Sequence, residues 1–268
     1  MTGTPFTAPA LTRSVLGRNG GIGTVFRKTR DKATRSVKRR SQFGKRAFDL
    51  ALTLPALLLL SPLIMLAAVL AAIGMGQPIF FRQLRPGLLG QPFTLVKFRT
   101  MTDARNADGN LKSDADRMPR MGRFLRRTSL DELPQLWNVM RGEMSLVGPR
   151  PLLMEYLPNY TAEHNRRHSV LPGITGWAQI NGRNLTAFSE RLKLDLWYVD
   201  HWSLWLDVKI LARTLLSVVR SSGVRLGQPL AEIDDIGLHP DTRKKAEATA
   251  LDHPCADPSK QLGEDAHS

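Results

Sequence analysis

Apolar and polar positions divide the chain into one uninterrupted apolar block, a middle region of short patterned pieces, and two polar ends. From Leu50 to Ile73 there are 24 consecutive residues without a formal charge, mostly Leu, Ala, Val and Ile. As one helix they would reach about 36 Å, enough to span a bilayer. Ser61-Pro62 falls near the middle of this block. A proline there removes a backbone donor and crowds the carbonyl of Leu58, so a break or kink is expected. Downstream, Phe93 to Met101 alternates as a strand does, which would put Lys97 and Arg99 on one face. Residues 102–116 are polar and loop-like. Arg120 to Met140 has helical spacing in two pieces separated near Thr128-Ser129, and residues 185–220 read as one or two amphipathic helices. The pattern predicts a mixed, helix-rich α/β fold. A membrane-inserted helix over 43–76 would precede one domain over 77–225. Residues 1–42, without apolar periodicity, read as a disordered arm, and residues 226–268 as a flexible acidic tail.

Charge sharpens this division. The net charge is +14, of which residues 1–46 hold +11 while residues 226–268 hold −5. A basic arm directly before an apolar block points to anionic lipid and topology signalling rather than to nucleic acid. A membrane-tethered nucleic-acid binder would rest on that arm alone, and no nucleic-acid partner is expected. The single cysteine, Cys255, excludes an internal disulfide, so a reducing compartment fits. The arm holds the N-terminus in the cytoplasm. A spanning helix would then place everything after Ile73 outside, whereas a re-entrant helix broken at Ser61-Pro62 would return it, leaving Gly44 and Gly76 on the same side.

The densest chemistry lies in Arg126-Arg127-Thr128-Ser129-Leu130-Asp131-Glu132-Leu133-Pro134-Gln135. Ser129-x-x-Glu132 fits a capping box, which accounts for Glu132 but not for Asp131. A helix start and two upstream arginines should keep Asp131 ionised at neutral pH. Such a carboxylate is a competent nucleophile toward phosphorus, and the pair also suits one Mg²⁺ shared with substrate phosphate oxygens. From these residues alone capping and catalysis stand level. Two prolines stiffen Arg150 within Gly148-Pro149-Arg150-Pro151, which suits fork-like recognition of phosphate, although the same residues also fit a rigid surface turn. Lys97, Arg126 and Arg150 are far apart in sequence, and each alone is more often a solvated surface charge. The glycine-rich stretch 172–184 is either a recognition loop presenting Trp177 and Arg183 or a turn and strand packed on the core. Trp197, Tyr198, Trp202 and Trp205 are either core or an interfacial belt.

Several of these motifs occur together and in order: Lys45-Arg46-x-x-Asp49, Ser61-Pro62, Arg85-Pro86-Gly87, Lys97-Phe98-Arg99-Thr100-Met101, Ser129 to Gln135, Gly148 to Pro151, and Pro172-Gly173-Ile174-Thr175-Gly176. In this the chain resembles the bacterial sugar transferases, the monotopic phosphoglycosyl transferases that initiate exopolysaccharide and lipid-linked glycan assembly, over about residues 43–224. The resemblance implies transfer of a sugar 1-phosphate from a nucleotide diphosphate sugar, usually a UDP-sugar, to polyprenyl (undecaprenyl) phosphate, with release of UMP. It implies that Asp131 forms a covalent phosphosugar intermediate and that Glu132 assists with Mg²⁺ or the acceptor. Lys97, Arg126 and Arg150 would contact phosphate; Arg183 is a candidate substrate contact only from the reading of 172–184 as a recognition loop. It also implies a re-entrant helix at the bacterial inner membrane with the catalytic domain facing the cytoplasm, and it leaves a homo-oligomer open. Met118-Pro119 departs from the family's usual β-branched residue and threonine, and the arm and tail extend past the family core. The alternative is a catalytically silent membrane scaffold of a polysaccharide-assembly complex.

Overall fold

The computed structural model describes residues 39–182, 187–219 and 234–239. Helix α1 (Arg39–Met75) runs for 37 residues and contains both Pro55 and Pro62. Helical structure therefore continues through Ser61-Pro62, where a break or kink was expected, and the helix is not broken there. Pro62 has no N–H to offer the Leu58 carbonyl, and the Ser61 hydroxyl donates to that carbonyl instead, at 2.8 Å.

One face of α1 packs on the rest of the chain along its whole length. Lys45, Asp49, Thr53, Ala67, Ala71 and Met75 are buried, with Leu57, Leu60 and Ile64 partly buried between them. The spacing of three or four residues keeps them on one face. The opposite face, including Leu58, Leu59, Met65 and Ile73, is exposed and apolar, as a lipid contact requires. The polar residues at the N-terminal end anchor the helix. Lys45 Nζ lies 2.6 Å from Asp207 Oδ2, Arg46 donates to the carbonyls of Val139 and Met140 at 2.5 and 2.7 Å, and Asp49 accepts from Ser145 Oγ and the Leu146 amide.

Strands β1 (Phe80–Pro86) and β2 (Pro92–Phe98) form an antiparallel pair with Phe81 opposite Lys97 and Arg85 opposite Phe93. β2 stops at Phe98, short of the expected Met101. The Arg99 backbone amide still donates across to the Ile79 carbonyl at 2.8 Å, while its side chain donates to the carbonyls of Met101 and Gln77 and pairs with Asp103, so it does not join Lys97. Within the expected loop 102–116 the one-turn helix α2 (Asp114–Arg117) begins, capped by Ser113. Helices α3 (Arg120–Arg127) and α4 (Gln135–Arg141) follow as two pieces, as expected. Strand β3 (Ser145–Val147) pairs in parallel with β4 (Gly173–Thr175), and α5 (Trp177–Gly182), α6 (Phe188–His201) and α7 (Leu204–Val219) complete a helix-rich mixed fold.

One apolar core joins Leu95, Leu136, Val139, Val147, Tyr198 and Ile210. A second joins Ala67, Ala71 and Met75 of α1 to Phe98 and Leu125. Residues 234–239 depart from the expected flexible tail: Leu238 is buried against Tyr156, Phe188 and Leu192, and Ser189 bonds Asp235. The remainder of the acidic tail and residues 1–38 of the basic arm lie outside the described residues.

Candidate active site

The turn between α3 and α4 carries the adjacent carboxylates. Asp131 is buried in a single 3-10 turn, Leu130–Glu132, preceded by Ser129 in the left-handed region at φ 57°. That backbone geometry defeats the capping box. The Ser129 side chain makes no capping bond, and the Glu132 carboxylate turns away to Arg150, whose Nη2 donates to Oε1 at 2.5 Å. A left-handed non-glycine residue costs on the order of 1–3 kcal/mol and persists only where its surroundings enforce it. Here it turns Asp131 inward and Glu132 toward Arg150.

The structure brings together the three cations that the sequence left scattered. Lys97, on β2, is partly buried with its ammonium 5.2 Å from the Phe81 ring centroid, and it forms no ion pair among the described residues. Arg126, in the last turn of α3, donates from Nε to Thr100 Oγ1 at 2.9 Å. Gly122 permits this approach, because a Cβ at that position would lie 2.0 Å from the Thr100 carbonyl oxygen. Arg150 holds Glu132 from the β3–β4 connection.

These charges interact. Burial, then the charge of Glu132, pushes the Asp131 carboxyl up to about 6, against the opposing pull of Lys97, Arg126 and Arg150. The sequence reading had the cations dominating; burial outweighs them, although a group at about 6 is still mostly ionised at pH 7. For Glu132 burial acts upward too, but Arg150, by charge and hydrogen bond, brings the group below its ordinary value. Burial lowers Lys97, and the neighbouring guanidiniums add to the effect. Among the described residues no donor lies within hydrogen-bonding distance of the Asp131 carboxylate. A buried carboxylate kept from its neighbouring cations is positioned to engage a ligand.

Behind Arg150 lies a support that sequence reasoning missed. Arg167 donates from Nη2 to the Arg150 carbonyl at 2.7 Å, from Nε and Nη2 to Asp195 Oδ2 at 3.1 and 2.7 Å, and from Nη1 to Tyr160 Oη at 3.2 Å. Both members of the pair are almost fully buried. The available signal was Asp195 itself, an acid flanked by Leu194 and Leu196 in a helical segment.

The remaining expected positions divide. Arg183 lies outside the described residues. Ser61 and Pro62 are on the exposed part of α1. Residues 173–182 form a short strand and helix, with Trp177 stacked 4.6 Å from Trp197, so Trp177 is a packing residue here. The aromatic cluster is split: Tyr198 is buried and donates to Asp207, whereas Trp205 is 65% exposed on α7.

Two adjacent carboxylates and no third His, Cys, Asp or Glu beside them among the described residues make a poor resident metal cage. They do suit Mg²⁺, a hard cation that commonly takes one or two carboxylates and completes its shell with water and phosphate oxygens. Asp131 and Glu132 would hold it, which also relieves the mutual repulsion that raises Asp131.

Comparison with known proteins adds to this geometry. The family described as bacterial sugar transferase matches residues 40–221. An uncharacterized sugar transferase of Bacillus subtilis, EpsL, is 54% identical over 181 residues, covering 68% of this chain and 90% of that protein. The UDP-galactose-lipid carrier transferase of Erwinia amylovora is 41% identical over 205 residues, covering 70% of this chain and 43% of that protein. The UDP-glucose:undecaprenyl-phosphate glucose-1-phosphate transferase of Escherichia coli is 41% identical over 181 residues, covering 64% of this chain and 39% of that protein. The chain thus spans most of the first relative and less than half of the other two.

Proposed function

The chain belongs to the bacterial sugar transferase family and is a phosphoglycosyl transferase, and we propose that it moves a sugar 1-phosphate from a UDP-sugar to undecaprenyl phosphate through a covalent intermediate on Asp131. The observation that carries this reading is the buried Asp131 carboxylate, without a hydrogen-bonding partner among the described residues yet close to the charges of Lys97, Arg126 and Arg150. An Asp131 oxygen attacks the sugar-bearing phosphorus, the bond to the nucleotide phosphate breaks, and UMP leaves with the electron pair. An oxygen of the lipid phosphate then attacks the same phosphorus, and the pair returns to Asp131.

Lys97, Arg126 and Arg150 neutralise the phosphate oxygens as charge builds, the largest service that fixed charges render in phosphoryl transfer. Glu132 fixes the Arg150 guanidinium at 2.5 Å. With Mg²⁺ bound by Asp131 and Glu132, the diphosphate charge would be neutralised further.

Incubating the protein with labelled UDP-sugar and undecaprenyl phosphate should release UMP, and Asp131→Asn should abolish it. UMP release from Asp131→Asn at the normal rate would refute the mechanism. The silent-scaffold alternative requires glycan export to persist in an Asp131→Ala strain.

For topology the reading is a re-entrant α1 at the inner membrane with the catalytic domain cytoplasmic. Its support is that both ends of α1 pack on the same domain: Lys45 and Asp49 against Asp207 and Ser145, Ala71 and Met75 against Phe98 and Leu125. A helix crossing the bilayer would separate those two ends by about 30 Å of hydrocarbon. Single cysteines at positions 44 and 76, in a Cys255→Ser background, should both label from the cytoplasm; labelling of position 76 from outside would exclude the arrangement.

A further inference from the structure

The Arg85-Pro86-Gly87 motif takes no part in the chemistry above, yet its arginine is held at the edge of the site. Arg85 lies near the end of β1 and reaches the turn that carries Arg150. Its Nη1 donates to the Pro151 carbonyl at 3.3 Å and its Nη2 to Gln83 Oε1 at 2.6 Å. Nε is buried without a hydrogen-bond partner, and no carboxylate lies within 4.0 Å of the group among the described residues. Burial, then the charge of Arg150, lowers the guanidinium to about 10. Arg191 lies close enough to feel the same Arg150 charge. The adjacent Arg167 offers a contrast, since Asp195 neutralises it. The charge of Glu155 acts the other way without forming an ion pair with Arg85. A desolvated guanidinium repelled by its neighbour and with no ion-paired carboxylate among the described residues gains when an anion arrives.

We propose that Arg85, together with Arg150, forms a seat for a phosphate monoester that the leaving UMP and the entering polyprenyl phosphate occupy in turn. The inference rests on the two-step reaction through Asp131. Displacement at phosphorus keeps the entering and leaving oxygens roughly in line. Asp131 holds one apical position in both steps, entering in the first and leaving in the second. Both monoesters must therefore sit opposite Asp131, one after the other. Arg150 links the two halves: its guanidinium holds Glu132, beside Asp131, and the carbonyl of the following residue holds Arg85. No proton moves at the seat, and its positive charge favours the ionised leaving group.

The test is binding of UMP and of uridine to the detergent-solubilised full chain, with the KM for polyprenyl phosphate measured alongside. Arg85→Ala should weaken UMP about tenfold or more, raise the KM for polyprenyl phosphate by a similar factor, and leave uridine unchanged. Arg85→Gln removes the charge while retaining a polar amide on a shorter side chain, so it should behave the same way. Polyprenyl phosphate should displace UMP from the unsubstituted protein. Unchanged UMP affinity in both variants, an equal loss of UMP and uridine, or an effect on one monoester without the other would overturn the shared seat alone. Unsubstituted protein that binds no UMP would overturn the nucleotide-sugar reaction as well.

Discussion

Two clusters of buried charge lie on either side of Arg150, and they are built to opposite specifications. In the Arg167–Asp195 cluster every guanidinium nitrogen has an acceptor: Asp195, Tyr160 Oη or the Arg150 carbonyl. In the Asp131 cluster, Lys97 rests against Phe81, Arg126 bonds only a threonine hydroxyl, and the Asp131 carboxylate has no donor among the described residues. The first cluster is complete as it stands and serves the fold. The second has cations facing an incompletely paired carboxylate, which suits a phosphate-bearing ligand. The lesson is that burial of charge does not separate structure from function; the state of its pairing does.

The largest contrast to test is between Asp131 and Asp195. Asp131→Asn should lower UMP release on the order of 10³-fold or more. The same change should leave the fold intact or stabilise it, since the native carboxyl is raised to about 6 by burial and by Glu132. A carboxyl whose folded value exceeds its unfolded value near 3.8 opposes folding as it ionises. That destabilisation is absent below about 4 and complete above about 6, and its removal at pH 7 is worth at most about 3 kcal/mol. Asp195→Ala should do the reverse, costing about 3–5 kcal/mol in denaturant unfolding because it strands Arg167 as an uncompensated buried charge. Loss of stability in Asp131→Asn as great as in Asp195→Ala would erase the distinction.

A smaller effect is expected from pH. kcat/KM should fall about tenfold per unit below about 6 as Asp131 takes up a proton, with stability not falling in step. Smallest of all is Arg166→Ala. Arg166 pairs with Asp200, but both side chains are nearly half exposed, so its removal should shift stability by no more than about 1 kcal/mol. The exposed Arg166–Asp200 pair and the buried Arg167–Asp195 pair, built on adjacent arginines, would then differ several-fold, according to burial.

Much of the fold was legible in sequence because its signals are local. The apolar block, the division between α3 and α4 and the helices after residue 185 follow from periodicity and breakers. Failures arose where a distant atom decides. Arg99 was placed on one face with Lys97, but the carbonyls of Met101 and Gln77 and the Asp103 carboxylate draw its side chain elsewhere. Ser61-Pro62 was read as a break or kink; helical structure runs on through it, and a hydroxyl satisfies the carbonyl that proline abandons. Leu238 was assigned to a tail, but an apolar cluster from two other segments buries it. The site shows the same division. Asp131 and Glu132 were identifiable as a pair, whereas the upward shift of Asp131 depends on burial by residues far away in sequence. Arg167 lay in an unremarked basic run because its partner is 28 positions on.

The most direct measurement is the intact mass of the protein after incubation with UDP-sugar in the absence of lipid acceptor. A gain of one sugar phosphate, mapped to the peptide containing Asp131, absent from Asp131→Asn and discharged on adding undecaprenyl phosphate, is the predicted result. An unchanged mass, with UMP released only when donor and acceptor are both present, would contradict the covalent route through Asp131.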